Sequence, residues 1–347
     1  MTLRIAIAGA GLITRSAHLP AVLGHPAAHL TALVDPDLAR AKALAQSYGL
    51  APLLARDIED ILAKVDACII ATPNHSHADL AVRCLAAGVH VLIEKPLATN
   101  AADGARVIQA AAKNGALAAI GYCTRFRDNV RLFGRLLKSA HFGRVKRFAY
   151  QFGTTGGWAA LSAYTLDRAA SGGGVTVVSG THFLDRMLHW FGMPDAVDYV
   201  DDGHQGPEAN AHCHFRFAAA GNGEGFQGSA RFSKTVHLPG GMVVETEKGR
   251  LILPESPTGA VRFLSHDSPD LALIVEDKGP SPYPPGTDDI QRQFHHFLMA
   301  CRGEQPFPVT AEDGQASLIL LDRLYQVRQP LPEPWRMAGA PGEEAVS

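Results

Sequence analysis

The sequence predicts an α/β protein of two domains, the first with a doubly wound parallel sheet and the second an α+β domain with an open, mainly antiparallel sheet. Its 347 residues exceed the usual size of one domain. As far as residue 121, short β-branched runs alternate with Ala/Leu-rich stretches of helical period. After Gly121, apolar and polar residues alternate as in antiparallel strands. We therefore expect domains at 1–121 and 122–347.

Strands and helices alternate through the first predicted domain. Thr99 or Asn100 can cap its last helix and Gly115 can close it. The predicted strands are Leu3–Ala8, His29–Val34, Ala67–Ala71, Val89–Ile93 and Leu117–Ile120. The predicted helices are Leu12–Leu23, Asp37–Tyr48, Ser76–Ala87 and Ala101–Lys113.

The second predicted domain has strands of alternating pattern, interrupted by helices. The predicted strands are Val145–Gln151, His212–Phe217, Gly228–Val236, Met242–Thr246 and Arg250–Leu253. The predicted helices are Arg127–Ser139, Val175–Trp190, Ile290–Cys301 and Ala316–Gln326.

Composition excludes several classes of protein. Lys+Arg 32 against Asp+Glu 34 leaves a net charge of −2, so no large basic surface for nucleic acid or anionic lipid is expected. The 5 cysteines are scattered without a C-x-x-C pair, which argues against a disulfide framework or a thiolate zinc site. No apolar run approaches the roughly 18 residues of a membrane span. We expect a cytoplasmic protein that acts on a small molecule.

A dinucleotide fingerprint follows the first predicted strand. Gly9 permits a tight turn, Gly11 lets a pyrophosphate approach backbone N–H groups, and Leu12 and Ile13 open the following helix. Asp35, at the end of the second strand, can accept the ribose hydroxyls. Together these residues predict a Rossmann domain that binds a nicotinamide dinucleotide.

The same carboxylate favours NAD over NADP. Asp35 would repel a 2′-phosphate and is followed by Pro36 instead of a cation. Arg40 and Lys42 lie near enough in sequence to support phosphate binding, so NADP is kept as the second choice.

Further motifs follow the dinucleotide turn along the chain. They are Ala71-Thr72-Pro73-Asn74-His75-Ser76-His77, Glu94-Lys95-Pro96, Gly172-Gly173-Gly174, Gly180-Thr181-His182 and Asp185. In this order and spacing they resemble the glucose–fructose oxidoreductase/inositol dehydrogenase family of NAD(P)-dependent oxidoreductases. The resemblance covers nearly the whole chain.

The resemblance implies roles for two of these motifs. Lys95 corresponds to the catalytic lysine of the family, and its peptide bond to Pro96 is expected to be cis. The cofactor is expected to lie against the loop of the first motif and beside the lysine, which makes Thr72, Pro73, Asn74, His77, Glu94 and Lys95 candidate cofactor-binding residues.

A third motif departs from the family pattern. Relatives carry Asp one helical turn before the histidine, and here that position is Val178. His182 stays a candidate catalytic and substrate-binding residue, although it can also be an ordinary core histidine. Asp185 lies at i+3 from His182 and either supports it or forms a structural salt bridge.

Other candidate substrate residues rest on position alone. Tyr122, Arg125, Trp158 and Tyr164 correspond to positions that line the substrate cleft in relatives, and each can equally be packing. The histidine pairs have no acidic or cysteine partners at ligand spacing, so no metal site is predicted.

The expected function is NAD-dependent hydride transfer to or from a hydroxyl or carbonyl of a sugar, polyol or related cyclic compound. Two alternatives stay open: a glycoside hydrolase or lyase of the same fold that recycles its NAD, and a noncatalytic NAD sensor, which the valine at position 178 suggests. The resemblance also implies a homodimer or homotetramer formed through the open sheet.

Overall fold

The computed structural model describes residues 2–155, 163–204, 206–219, 224–268, 270–277, 279 and 283–332. Their internal contacts divide the chain into two compact units. The first unit comprises Met1–Cys123, Ala169–Gly172 and Pro282–Ile319. The second comprises Thr124–Arg168, Gly173–Ser281 and Leu320–Ser347. Each unit contains one sheet.

The first unit is built on a parallel sheet with the strand order β3-β2-β1-β4-β5-β6. This order is that of a doubly wound dinucleotide-binding fold, so the fold class predicted for this part is confirmed. The carboxyl ends of β1, β4 and β5 are neighbours, and the predicted motifs follow those ends. The strands are β1 (Leu3–Ala8), β2 (Ala28–Val34), β3 (Leu53–Ala55), β4 (Ala67–Ile70), β5 (His90–Ile93) and β6 (Ala118–Ile120).

Helices join these strands with the caps that the sequence predicts. Asn100 accepts a hydrogen bond from the Asp103 N–H, and Gly115 ends that helix in the left-handed conformation at φ 63°. A π-helical turn, Thr14–His18, leads directly into the first helix. The helices are α1 (Leu19–Leu23), α2 (Leu38–Ser47), α3 (His77–Ala86) and α4 (Ala101–Asn114).

The second unit contains a mixed, mainly antiparallel sheet of nine strands in the order β14-β13-β12-β11-β7-β10-β9-β8-β15. Among the described strands of this sheet, only β10 with β7 and β15 with β8 pair in parallel. The predicted open sheet is therefore confirmed. Its strands are β7 (Val145–Gly153), β8 (Ala196–Asp201), β9 (Asn210–Phe217), β10 (Phe226–Ser233), β11 (Leu238–Thr246), β12 (Gly249–Pro254), β13 (Val261–Ser265), β14 (Ala272–Val275) and β15 (Arg328–Pro330).

One helix carries its aromatic residues onto this sheet. Phe183 stacks on Tyr150 with ring centroids 4.1 Å apart, and Phe191 stacks on Phe148 at 5.1 Å. Aromatic burial of this kind fixes the rotation of the helix about its axis. The remaining helices are α5 (Asp128–Lys138), α6 (Arg168–Ser171), α7 (Thr181–Phe191), α8 (Asp289–Cys301) and α9 (Ala311–Gln326).

Some elements differ from the sequence prediction. The strands β3, β8, β13, β14 and β15 were not predicted, because they are short or carry charged residues and gain their stability from pairing with a neighbour. Helix α9 begins at Ala311, five residues before the predicted start. A Cβ on Gly314 would lie 2.9 Å from Leu97 Cβ, so this glycine permits close packing inside a helix. No helix within the described part of the chain is long and apolar enough to cross a membrane.

Candidate functional site

The turn after β1 has the geometry of a dinucleotide loop. Gly9 has φ 96°, and a Cβ there would lie 2.3 Å from the Ala71 carbonyl oxygen, so no side chain fits. Among described residues, no atom lies within 4 Å of a Cβ built on Gly11. Leu12 and Ile13 are 60% and 40% exposed. This open space at the start of a helical segment fits a pyrophosphate group.

Thr14 stands where a third glycine is common in such turns. Its side chain is buried, and its hydroxyl donates a 2.6 Å hydrogen bond to the Gly9 carbonyl oxygen. The turn itself therefore satisfies the polar atom that the substitution introduces.

Asp35 follows β2 and is buried beside this turn. Its two carboxylate oxygens accept hydrogen bonds of 2.9 Å from the backbone N–H groups of Ala10 and Asp37. Arg40 Nη1 lies 3.6 Å from Asp35 Oδ2. Since a carboxylate has about four acceptor positions, the two backbone bonds orient the group without using its full capacity.

The loop after β4 is held by its own polar side chains. Thr72 Oγ1 lies 2.7 Å from Ser76 Oγ, and Asn74 Nδ2 donates a 2.8 Å hydrogen bond to the Ser171 carbonyl oxygen. Asn74 is buried, so its amide anchors the segment that leads to the glycine triplet. Pro73 lies between them, partly exposed.

His77 joins this loop to the lysine motif. Its Nδ1 lies 2.8 Å from the Pro96 carbonyl oxygen, and its Nε2 lies 2.8 Å from that of Thr72. Burial lowers the pKa of His77, so the ring is neutral and donates to one carbonyl at a time. The ring is fully buried, and we expect its effect on a cofactor to pass through the two loops it contacts.

The lysine motif follows β5. Lys95 is partly exposed, and its peptide bond to Pro96 is cis, as the resemblance implies. Glu94 Oε1 lies 2.8 Å from His18 Nε2, and Glu94 Oε2 accepts a 3.2 Å hydrogen bond from the Lys95 N–H. Burial by itself would raise the pKa of Glu94, but the hydrogen bond from His18 and the charge of Lys95 lower it overall.

Sequence reasoning missed His18. It is 1% exposed and lies in the π-helical turn that follows the dinucleotide loop. A histidine on the apolar, sheet-facing side of that segment is the signal that could have found it, because a buried imidazole needs a polar partner.

In the second unit, Gly174, the last glycine of the triplet, lies against a buried carboxylate. A Cβ on Gly174 would lie 2.1 Å from the Glu208 carbonyl oxygen, which explains the glycine there. The Glu208 side chain is fully buried and accepts hydrogen bonds from Gly174 N at 2.9 Å, Thr176 N at 3.0 Å and Tyr325 Oη at 2.9 Å. Glu208, which the sequence did not indicate, therefore fixes the start of the helical segment that carries His182.

That segment is not a regular helix throughout. Val178 lies in a π-helical turn, Thr176–Gly180, and His182 lies at the second residue of α7. Both side chains are partly exposed, whereas neighbouring Phe183 is buried in the aromatic packing on the sheet. Arg186, one turn after His182, is buried and pairs with Glu255 at 2.9 Å, which holds the helix from its other side.

Asp185 forms a salt bridge. Arg125 Nε lies 2.7 Å from Asp185 Oδ2, and Arg125 Nη2 lies 2.5 Å from Asp185 Oδ1. Arg125 Nη1 also lies 3.2 Å from His189 Nδ1. The structural ion pair, one of the two interpretations of Asp185, is therefore present in the structure.

The remaining candidate substrate residues that the structure describes differ in their exposure. Tyr122 is fully buried in the first unit, and Tyr164 is partly exposed in the second. Trp158 lies outside the described residues. In the part of the chain that the structure describes, no group of three or more His, Cys, Asp or Glu residues could hold a metal ion.

Comparison with known proteins identifies the fold and its motifs. Residues 3–122 match the family model GFO_IDH_MocA, an oxidoreductase family with an NAD-binding Rossmann fold. The matched range contains the dinucleotide turn, the Thr72-Pro73-Asn74 loop and Lys95. Residues 3–122 therefore have the NAD-binding Rossmann domain of this oxidoreductase family.

Two curated relatives of the family match part of the chain. A putative UDP-kanosamine synthase oxidoreductase subunit of Amycolatopsis mediterranei is 30% identical over 192 residues, which is 55% of this chain and 52% of that protein. Inositol 2-dehydrogenase 1 of Saccharopolyspora erythraea is 35% identical over 147 residues, or 41% and 43% of the two chains. The chain thus spans about half the length of these relatives.

The family fold extends further than this sequence similarity. The crystal structure of an aldose–aldose oxidoreductase from Caulobacter crescentus, complexed with glycerol, matches with a TM-score of 0.80 at 24% identity. The match covers 94% of this chain and 97% of that one. Nearly the whole chain therefore has the architecture of that two-sheet protein.

Proposed function

We propose that this protein is an NAD-dependent oxidoreductase that transfers a hydride to or from a hydroxyl or carbonyl carbon of a sugar, polyol or related cyclic compound. The observation that carries the proposal is the position of Lys95. It follows β5, next to β4 and β1, whose ends carry the Thr72 loop and the Gly9–Gly11 turn. Ligands of parallel α/β sheets bind at this edge.

Lys95 is the proposed principal acid/base. Bound NAD would supply the hydride acceptor, and the protein must then remove the proton of the substrate hydroxyl. An amine at the sheet edge can take that proton during oxidation and return it during reduction. His182 is the proposed second group, which orients the substrate or moves a proton.

Cofactor binding is assigned to the first unit. Gly9, Gly11, Leu12 and Ile13 would receive the pyrophosphate, while the Asp35 carboxylate would accept the ribose hydroxyls. The loop residues, Thr72 to Asn74 with His77, would support the nicotinamide side. Since Asp35 is buried and oriented by two backbone N–H groups, it cannot easily turn away from a 2′-phosphate, which supports NAD over NADP.

The substrate class is supported by the names of the relatives, an oxidoreductase subunit of a UDP-kanosamine synthase and an inositol 2-dehydrogenase. Tyr122, Arg125, Trp158, Tyr164, Val178, His182 and Asp185 stay the proposed substrate residues. Pairing through the open sheet into a homodimer or homotetramer is proposed on the resemblance alone. The proposed domain limits 1–121 and 122–347 rest on the change of sequence pattern after Gly121.

The deciding experiment follows NADH absorbance while the protein is offered a panel of sugars, polyols and inositols. A dehydrogenase changes NADH in proportion to substrate consumed, whereas a glycosidase or lyase that recycles its cofactor consumes substrate without net change. Lys95→Ala should lower kcat by about 10²–10⁴, the usual contribution of proton transfer, with NAD affinity largely intact. Near-normal turnover of Lys95→Ala, or NAD binding without any conversion, would overturn the proposal.

A further inference from the structure

A buried histidine contacts the carboxylate of Glu94, the residue before the proposed catalytic lysine. His18 is 1% exposed and Glu94 is 13% exposed, and Nε2 and Oε1 are 2.8 Å apart. A Cβ built on Gly121 would lie 3.5 Å from Glu94 Cδ, so the turn after β6 also packs close to the carboxylate. The carboxylate thus has both an imidazole and a backbone turn as close neighbours.

The contacts of the Glu94 carboxylate show which groups donate hydrogen bonds to it. Glu94 Oε2 accepts from the Lys95 N–H, so Oε1 is the oxygen that faces His18. His18 Nδ1 is buried and has no hydrogen-bond partner among the residues that the structure describes. A proton on Nε2, donated to Glu94, is the arrangement that leaves no buried donor unsatisfied.

We propose that His18 is a positioning residue for Lys95: by donating to Glu94 it keeps that carboxylate ionised and fixed beside the lysine. The proposal rests on the catalytic role proposed for Lys95. In this role His18 acts through Glu94, toward which its Nε2 is directed.

Three groups face the Glu94 carboxylate from the packed elements around it. They are His18 from the π-helical turn, Lys95 next to it in the chain, and His77 from the start of α3. Burial keeps His77 neutral, so the donor of His18 and the cation of Lys95 are the groups that stabilise the negative charge of Glu94. An anion fixed near an amine favours the ammonium form. Loss of the donor from His18 should therefore let Lys95 lose its proton more readily, and make it a weaker base.

The experiment compares His18→Leu, which removes the donor, with His18→Gln, which keeps one. In the protein without cofactor, Lys95 is labelled with acetic anhydride across the alkaline pH range and quantified by mass spectrometry. Glu94→Gln should become reactive at a pH lower by about one unit, the usual effect of losing a nearby opposite charge, and His18→Leu should shift the reactivity in the same direction by a smaller amount, because the carboxylate stays but loses its donor. His18→Gln should react like the wild type. His25→Gln, at another histidine of the first unit that bonds to His295, is the matched control and should also react like the wild type.

Turnover supplies the second measurement. His18→Leu should lower kcat about tenfold and move the acid limb of its pH profile in the same direction as the labelling, with KM for NAD unchanged. The proposal is wrong if His18→Leu loses no more stability than His25→Gln and both its Lys95 labelling and its pH–rate profile match those of the wild type. His18 would then be only structural. If Lys95 is not catalytic, Lys95→Ala will show normal turnover instead. The labelling experiment would still show whether His18 affects Lys95.

Discussion

Arg125 holds Asp185 in a two-point ion pair, with Nε 2.7 Å and Nη2 2.5 Å from the two carboxylate oxygens, where the side chains are 8% and 0% exposed. Asp185 lies one turn after His182 on α7, and Arg125 lies before α5. A parallel two-point contact fixes both groups in direction as well as distance. The pair therefore links the two helices at the turn that carries His182.

We expect Arg125→Leu to lower the free energy of unfolding by about 3–5 kcal/mol, because Asp185 then keeps a buried charge without this cation. Arg125→Leu combined with Asp185→Leu should recover most of the loss, since no charge is buried there any longer. Urea unfolding followed by circular dichroism measures all three proteins. A double variant no more stable than Arg125→Leu would mean that the pair does not act as a unit.

The two glycines of the dinucleotide turn should behave differently when changed to alanine. Gly9→Ala should fail to fold, because the added methyl group meets the Ala71 backbone. Gly11→Ala should unfold at the wild-type urea concentration yet bind NADH about tenfold more weakly or worse, because its methyl group enters the space proposed for the pyrophosphate. Gly206→Ala is the control for both measurements, because the nearest atom given for a Cβ built there, the Gly203 carbonyl oxygen, is 3.7 Å away. Unchanged NADH affinity in Gly11→Ala would exclude this turn as the binding site.

Calorimetric titration should show tighter binding of NADH than of NADPH. The physical reason is the buried Asp35 carboxylate, which accepts from a ribose diol and repels a phosphate. Asp35→Asn should narrow the difference between the affinities for NADH and NADPH, because it removes the charge. Asp37→Asn, two residues away at an exposed helix cap, should leave that difference unchanged. Stronger binding of NADPH to the wild type would reverse the assignment.

Val178 is expected to decide substrate preference. If this partly exposed valine faces the substrate, a hydroxyl held against it would lose water without gaining a partner, at a cost of about 1–3 kcal/mol. Val178→Asp should shift preference toward more hydroxylated sugars or inositols and move the pH–rate profile, because it places a carboxylate near His182. Val178→Asn should change the preference but not the profile. The same ranking of substrates in all three proteins would mean that position 178 lies away from the active site.

Much of this architecture could be read from local patterns. The Gly9–Gly11 turn, Asp35 and the alternation of strands and helices are properties of residues close together in the chain, so they predicted the parallel sheet and its dinucleotide edge. The motifs around Lys95 and His182 identified the family because their residue types and order are preserved in the chain. The capping of α4 by Asn100 and Gly115 is equally local.

Packing between segments far apart in the chain determined the contacts of the buried polar residues. His18 and Glu94 are 76 residues apart, and the glycine triplet is shaped by Glu208 and Tyr325, far along the chain. No periodicity reports such contacts, because each depends on which buried polar groups the finished fold leaves facing each other. The sequence alone therefore predicted the fold, the dinucleotide turn and the lysine motif. The partner that Asp185 takes and the contact between His18 and Glu94 exist only once the chain has folded and its charges have lost access to water.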